Sequence, residues 1–310
     1  MKRLIRLALL ALLVAAPASG GFAQTPPGEL GLTSNFVDLS TGVRMHYVGR
    51  GRNHDRGEVI IFLHGYTDSW RSFERNLPLM PDKYRVYALD QRGHGDSSKP
   101  ACCYRAADFA ADVKAFMDAL KIRKATIVGH SMGGLNAHKF AAEYPDRVKR
   151  LVLVGSATTL VGNPNVVPLY TDAVRHMTDP LLPRWEPFVR DFQSSTFAGE
   201  NGAPGWFIDT AVSESLKVPA TVWKQALEEM LLEDHTARLR RITAPTLILF
   251  GDRDGIFFYE DNRLLDALIP DSTLKLYYRD ETGGHPGHTG HGLHVEWPRE
   301  FVNDLVRFAK

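Results

Sequence analysis

The residues Gly129-His130-Ser131-Met132-Gly133-Gly134 decide how this sequence folds. They follow an apolar run at residues 125–128, which has the length of a buried strand, and they open a helical pattern that extends to residue 144. Glycines two positions to either side of Ser131 permit a strained turn between strand and helix, and this turn exposes the serine hydroxyl. The helix start supplies backbone N–H groups for developing negative charge. The stretch therefore predicts a serine nucleophile.

Outside this stretch, short apolar runs alternate with helical patterns. The other continuous runs of strand length are residues 59–63, 86–89, 151–154 and 246–250. Such runs are typical of a sheet covered on both faces, and the helix expected at residues 107–120 fits parallel strands joined by right-handed crossovers. Residues 35–38 and 43–48 predict an opening hairpin, residues 274–278 a last strand and residues 298–309 a closing helix.

The alternation of strand-length apolar runs with helical patterns is interrupted between residues 157 and 241. This segment is rich in proline between short helical patterns, such as the one at residues 220–233. Because loops beyond about 12–15 residues without structure are uncommon in compact domains, we expect a helical lid here. The predicted division is therefore a signal peptide at 1–23, a first core part at 24–156, the lid at 157–241 and a second core part at 242–310.

The N-terminus has the order of charged, apolar and small residues that is typical of a secretory signal peptide. Lys2, Arg3 and Arg6 precede an apolar run at residues 7–16, which is about half of the roughly 20 residues that a membrane span requires. We expect cleavage near Ala23, with Ala18 as the alternative, and an exported, periplasmic or secreted protein without a membrane span. An uncleaved anchor is the other interpretation.

Composition limits the partners and the disulfides. The formal charge of +1 over 310 residues would become −2 without residues 1–23, so nucleic acid is not an expected partner. Cys102 and Cys103 are the two cysteines, and because they are adjacent they exclude an ordinary long-range disulfide framework. Two free thiols and a strained vicinal disulfide both remain open. The oligomeric state is not predicted.

Several motifs together resemble the lid-bearing α/β-hydrolase family of esterases, lactonases and related hydrolases, over roughly residues 35–310. His64-Gly65 resembles its oxyanion-loop motif, residues 90–97 resemble the turn after its next strand, and residues 129–133 resemble its nucleophile elbow. The resemblance implies an α/β fold with a mostly parallel central sheet, flanked by helices and covered by an inserted lid. It also implies acyl transfer through Ser131, without a cofactor or a metal.

The base and the acid follow from the order Ser, acid, His that this fold requires. Four histidines compete for the base, namely His285, His288, His291 and His294. The family pattern over residues 290–298 implies His291, with His294 at the start of the last helix, while His288 and His285 remain alternatives. A metal site in this His-rich loop is a rival interpretation, although its glycines and Pro286 make a helix with shared ligands improbable.

In the turn at residues 251–254, the family pattern implies Asp254 as the acid that orients the imidazole. Asp252 is then expected to cap the turn, and reversed roles remain open. The resemblance places the oxyanion hole at the backbone N–H groups of Tyr66 and Met132. The polar residues His64, Asp90, Arg92 and His94 are expected to fix loops rather than to react.

The substrate expectation rests on aromatic residues of the lid and the oxyanion loop. We expect the cleft to be lined by Trp70, His130, Trp185, Phe188 and Trp206. Because substrate pockets are mainly apolar, the first expectation is a small uncharged ester or lactone with a modest apolar portion. A C–C bond hydrolase, an amidase or a cofactor-free haloperoxidase would use the same triad. A ligand-binding protein without activity is the alternative from another class.

Overall fold

The computed structural model describes residues 24–50, 57–181, 183–279 and 287–310. Within these residues, eight strands form one sheet of order β1-β2-β4-β3-β5-β6-β7-β8. The strands are β1 (Thr33–Asp38), β2 (Arg44–Arg50), β3 (Glu58–Leu63), β4 (Tyr84–Leu89), β5 (Ala125–His130), β6 (Val148–Val154), β7 (Thr246–Gly251) and β8 (Ser272–Tyr277). The pairs β1·β2 and β2·β4 are antiparallel, and every other neighbouring pair is parallel. The predicted hairpin and mostly parallel sheet are confirmed.

Helices cover both faces of the sheet. They are α1 (Ala106–Ala119), α2 (Met132–Glu143), α3 (Glu186–Ser195), α4 (Gly205–Leu216), α5 (Ala220–Leu232), α6 (Thr236–Leu239), α7 (Tyr259–Leu268), α8 (Leu293–Glu296) and α9 (Pro298–Phe308). Ile61 of β3 packs in the core shared with α1, α2 and α7, whereas its neighbour Phe62 packs in the core shared with α9. Successive strand residues point to opposite faces, so a strand between two helical layers needs apolar residues throughout.

A third apolar cluster joins the segment between β6 and β7 to the rest of the molecule. Trp223 of α5 is fully buried in it together with Met132 and Leu135 of α2. The hydroxyl of Tyr66 donates a hydrogen bond to the carbonyl oxygen of Trp223 at 2.6 Å. Helices α3 to α5 therefore pack over the turn that follows β5, whereas Leu239 of α6 packs in the core shared with α1, α2 and α7. The exact limits of the lid and of the two core parts remain predictions, and the proposed signal peptide at 1–23 lies outside the described residues.

The described part of the chain has no helix that is both long and apolar enough to cross a membrane. Of the two states left open for the adjacent cysteines, the structure has a vicinal disulfide between Cys102 and Cys103, with Cα atoms 3.8 Å apart. The carbonyl oxygen of Cys103 accepts a hydrogen bond from Arg92 at 2.7 Å, and Arg92 also pairs with Asp112 of α1 at 2.6 Å. The loop before α1 is thus tied to the turn after β4.

Close approach of α2 to the sheet depends on Gly133. A Cβ atom at this position would lie 2.2 Å from the carbonyl oxygen of Leu63 and 2.6 Å from that of His64. Both contacts are to backbone atoms, which move much less readily than the end of a side chain. The first turn of α2 can therefore reach β3 only because residue 133 has no side chain.

We predict that Gly133→Ala lowers the free energy of unfolding by about 1–3 kcal/mol, because the added methyl overpacks the contact between α2 and β3. Gly205→Ala is the matched control, since Gly205 begins α4 with no heavy atom near its Cβ position. Removal of backbone freedom should make this control equal to the wild type or more stable by up to about 1 kcal/mol. Urea unfolding followed by circular dichroism measures both, and equal midpoints for the two variants would contradict the packing argument.

Candidate active site

Ser131 lies in the sharp turn between β5 and α2. Its backbone angles are φ 53° and ψ −120°, a conformation that costs a residue other than glycine about 1–3 kcal/mol. The N–H of Ser131 donates to the carbonyl oxygen of Val154 at 3.0 Å, and its own carbonyl oxygen accepts from Gly134 at 2.7 Å. The turn is therefore held from β6 on one side and from α2 on the other, with the serine between them.

His291 and Asp254 form a buried pair. The distance from His291 Nδ1 to Asp254 Oδ2 is 2.8 Å, and the two side chains are 3% and 0% exposed. The other carboxylate oxygen of Asp254 accepts the N–H groups of Ile256 and Phe257 at 2.8 and 3.0 Å. The carboxylate thus fixes the turn after β7 and also orients the ring, so that Nε2 of His291 remains for another partner.

His288 and Asp252 form a second, more open pair. Their Nδ1 and Oδ2 atoms are 2.6 Å apart, and the side chains are 37% and 25% exposed. Asp252 also accepts the N–H of Thr289 at 2.9 Å, so it anchors the histidine loop instead of merely capping its own turn as the sequence suggested. His285, the remaining candidate in this loop, lies outside the described residues.

A buried glutamate holds the histidine loop against the segment after α3. The carboxylate of Glu296 accepts the N–H groups of Gly290 and Gly199, each at 3.2 Å. Burial raises the pKa of Glu296, and these two N–H groups oppose the shift. Glu296 therefore links Gly290, the residue directly before His291, to Gly199 in the segment after α3.

Ser131 and His291 line one cavity of about 460 Å³ under the inserted helices. Its other walls are mostly apolar side chains, namely Leu160, Val166, Leu169, Phe188, Phe192, Phe197, Leu227, Met230, Ile256 and Phe257. Among the described residues that line it, none is a lysine or an arginine, and Asp68 and Asp191 contribute carboxylates. The cavity therefore suits an apolar ligand and disfavours an anion.

The expected pocket residues need a correction. His130 and Phe188 line the cavity, but Trp70, Trp185 and Trp206 do not. Trp70 is buried in the core on the α9 side of the sheet, Trp185 packs edge-on against Phe188 with ring centroids 5.8 Å apart, and Trp206 is half exposed. The composition of the lid gives the number of its aromatic residues but not the direction in which each one points.

Asp68 is a polar wall residue that the sequence analysis missed. Its Oδ1 accepts a hydrogen bond from Gln193 of α3 at 3.1 Å, and its Oδ2 accepts a longer one from Ser72 at 3.5 Å. Burial raises the pKa of Asp68 to about 6, against the lowering effects of Gln193, His291 and Ser72. A carboxylate four residues after His64, beside the end of a buried strand, was the available signal.

Three imidazole rings pack against one another, in tilted orientations, beside this wall. His130 lies between His291 and His294, with centroid distances of 4.8 and 4.4 Å. Burial lowers the pKa of His294 to about 3, and Ser72 holds its Nε2 at 3.1 Å. Burial, reinforced by the neighbouring rings, also lowers the pKa of His130 well below its usual value. Both of these rings are therefore neutral at pH 7.

The remaining polar residues fix loops around the site. His64 Nε2 accepts the N–H of Gln91 at 3.0 Å, and Asp90 accepts the N–H groups of Trp70 and Asp96 at 2.7 and 2.9 Å. In the described ranges, the one group of three side chains with metal-ligating atoms close together is His46, Asp90 and Asp96. His46 and Asp90 already bond to each other at 2.7 Å.

The backbone amides of Tyr66 and Met132 are the predicted donors of the oxyanion hole. Met132 is the first residue of α2, so its N–H has no carbonyl group of a preceding turn to bind. Tyr66 lines the cavity from the turn in which the N–H of Asp68 donates to Gly65 at 3.3 Å. Their use as an oxyanion hole remains a prediction.

Comparison with known proteins places the chain in a family. The sequence profile described as the alpha/beta hydrolase fold matches residues 58–291. The chain is 30% identical over 287 residues to a 2-hydroxy-6-oxononadienedioate/2-hydroxy-6-oxononatrienedioate hydrolase of Paraburkholderia xenovorans, covering 88% of this chain and 95% of the relative. It is also 30% identical over 287 residues to a non-heme chloroperoxidase of Streptomyces lividans, covering 88% and 99%.

Solved structures agree on the fold. An esterase from Exiguobacterium antarcticum superposes with a TM-score of 0.76 at 23% identity, covering 89% of this chain and 99% of the esterase. The profile match spans most of the chain and includes both Ser131 and His291. The chain therefore belongs to the alpha/beta hydrolase fold family.

Proposed function

We propose that this protein is a serine hydrolase that cleaves an ester or a lactone of a small apolar substrate through an acyl-enzyme on Ser131. The observation that carries the proposal is that Ser131 and His291 line one cavity, while His291 is held by the buried carboxylate of Asp254. A hydroxyl group becomes an effective nucleophile when an oriented base takes its proton. This arrangement supplies both the base and the group that orients it.

In the first half of the reaction, Ser131 Oγ attacks the carbonyl carbon while its proton passes to His291 Nε2. Asp254 stabilises the imidazolium that forms, since it already binds Nδ1 at 2.8 Å. The N–H groups of Tyr66 and Met132 would bind the oxyanion. The C–O bond to the leaving alcohol then breaks, and the alcohol departs with the proton of His291. Water, activated by the same imidazole, attacks the acyl-enzyme and releases the acid and free Ser131.

The charge of the cavity disfavours an anionic substrate. The relative from Paraburkholderia xenovorans is named for dioates, which carry two carboxylates. Such a substrate would meet Asp68 and Asp191 here, without a lysine or an arginine among the described lining residues. C–C bond hydrolysis of a dicarboxylate is the second candidate function, because the name of that relative favours it. The carboxylates in the cavity wall disfavour it.

We further propose that the protein is exported. This proposal rests on the order of charged, apolar and small residues at positions 1–23 alone.

The nucleophile assignment predicts covalent labelling. A fluorophosphonate probe should label the wild type at Ser131, and Ser131→Ala should abolish labelling and lower kcat by about 10⁴-fold or more. Mass spectrometry of the labelled peptide identifies the site, and circular dichroism verifies that the variant is folded. Labelling of Ser131→Ala at the wild-type rate would refute the assignment.

The two Asp–His pairs give a matched test of the base. His291→Ala should lower kcat by about 10⁴-fold, because it removes the imidazole that is proposed to take the proton of Ser131. His288→Ala removes the same ring from a pair of the same geometry at the more open position, so kcat should change less than about tenfold. Steady-state rates on a nitrophenyl ester measure both, and the opposite ranking would transfer the role of base to His288.

The cavity charge predicts selectivity between substrates of equal length. Nitrophenyl pentanoate should be hydrolysed with a kcat/KM at least about tenfold above that of nitrophenyl hemiglutarate, because the free carboxylate of the latter must enter a site where no described lining residue is a cation. Neutral acyl chains of graded length locate the optimum. Faster turnover of the anionic ester, or of a dienedioate through C–C cleavage, would replace the proposed substrate class.

A further inference from the structure

Gly65 is flanked on one side by two polar atoms that belong to the cavity wall. A Cβ atom built on Gly65 would lie 3.0 Å from His130 Nδ1 and 3.2 Å from Asp68 Oδ2. The imidazole and the carboxylate therefore lie on the same side of Gly65, and all three residues contribute to one part of the cavity wall. Gly65, Asp68, His130 and Ser131 all line the catalytic cavity.

His130 has unused hydrogen-bonding capacity at this place. It is 4% exposed, and neither of its ring nitrogens has a partner at hydrogen-bond geometry among the described residues. The main chain of His291 approaches the ring and opposes the lowering of its pKa, without completing a bond of that geometry. Buried polar atoms in native proteins are nearly always paired, so an unpaired ring in a cavity wall points to a partner supplied by a ligand.

Asp68 has one well-bound oxygen and one that is free to accept. Oδ1 accepts a hydrogen bond from Gln193 Nε2 at 3.1 Å. Among the described residues, the only hydrogen bond to Oδ2, the atom nearer Gly65, is the long one from Ser72 at 3.5 Å. Gln193 is itself fixed, because its Nε2 also binds Ser215 Oγ of α4 at 2.8 Å. The carboxylate is thus oriented by the inserted helices so that an acceptor oxygen points toward Gly65.

We propose that Gly65, Asp68 and His130 form a subsite for a hydrogen-bond donor, a hydroxyl or an ammonium group, that the substrate carries within a few bonds of its scissile carbonyl. The donor binds Asp68 Oδ2, beside the ring of His130. The position follows from the chain itself, since Gly65 directly precedes the amide proposed to bind the carbonyl oxygen, and His130 directly precedes Ser131. The inference rests on the proposed function and names its substrate class, an ester of a hydroxy or amino acid.

Three methyl esters of nearly equal size test the subsite. Methyl lactate, methyl alaninate and methyl isobutyrate carry a hydroxyl, an ammonium and a methyl group at the same carbon, and the matching 3-substituted esters move the group by one carbon. The wild type should favour the best donor ester over its methyl counterpart by about tenfold in kcat/KM, measured by pH-stat and divided by the hydroxide-catalysed rate of each ester, since hydroxyl and ammonium groups also activate the carbonyl by themselves. Comparison of the hydroxyl and ammonium esters shows whether the subsite selects the charge or the hydrogen bond. Comparison of the 2- and 3-substituted esters shows on which carbon the donor must lie.

Asp68→Asn should bring this preference close to unity, because an amide can keep the bond with Gln193 but presents N–H groups to the donor. Asp191→Asn is the control: it removes a carboxylate from a more exposed lining residue of the same cavity, which is not among the nearest neighbours of the Gly65 Cβ position, and it should keep the preference. Gly65→Ala should also abolish the preference, since its methyl would occupy the space between His130 and Asp68. If Asp191→Asn lost the preference to the same extent, the preference would depend on the overall charge of the cavity, and this result would overturn the subsite.

A binding measurement separates this inference from the proposed hydrolysis. NMR titration of Ser131→Ala with lactamide, alaninamide and isobutyramide should give tighter binding of a donor ligand, and adding Asp68→Asn should remove the difference. Equal binding of all three amides overturns the subsite, even if esters are hydrolysed. Tighter binding of a donor in a protein that hydrolyses no ester keeps the subsite and overturns the proposed function.

Discussion

The contact between the first turn of α2 and the sheet is the constraint on which the site depends. Gly133 packs against the backbone of β3, and Ser131 is bonded to β6 through its N–H. These contacts hold Ser131 at a positive φ that the residue would not adopt on its own. The same turn orients the amide of Met132 and places His130 in the wall. One strained position thus sets the directions of several groups that face the cavity.

Burial distinguishes the two Asp–His pairs more clearly than their distances do. Both pairs are bonded through Nδ1 at hydrogen-bond length, but only the pair of His291 is nearly excluded from solvent. A carboxylate in a site of low polarity interacts more strongly with an imidazolium than an exposed one does, because water screens it less. The partly exposed pair of His288 instead anchors the loop that carries His291.

The sequence predicted most strands because parallel strands between two helical layers need uninterrupted apolar runs, as in β3 and β7. The pairing of His291 with Asp254 was also accessible, since the order of the motifs along the chain limits the candidates. The residues that line the pocket could not be predicted in the same way. Trp70 and Phe188 are both aromatic residues in the sequence, and only the folded backbone determines which of them points into the cavity. Leu227 and Met230 both line the cavity and lie three residues apart on α5, and this helical spacing was a weak indication that they share one face.

The absence of lysine and arginine from the described cavity wall also concerns the step after chemistry. Hydrolysis of a neutral ester creates a carboxylate inside a space that already contains Asp68 and Asp191. A neutral ester of the proposed class would enter without this repulsion, whereas its acid product would experience it on losing its proton. The cavity would therefore expel its own product, which limits product inhibition and makes the reverse reaction, acylation of Ser131 by a free acid, slow.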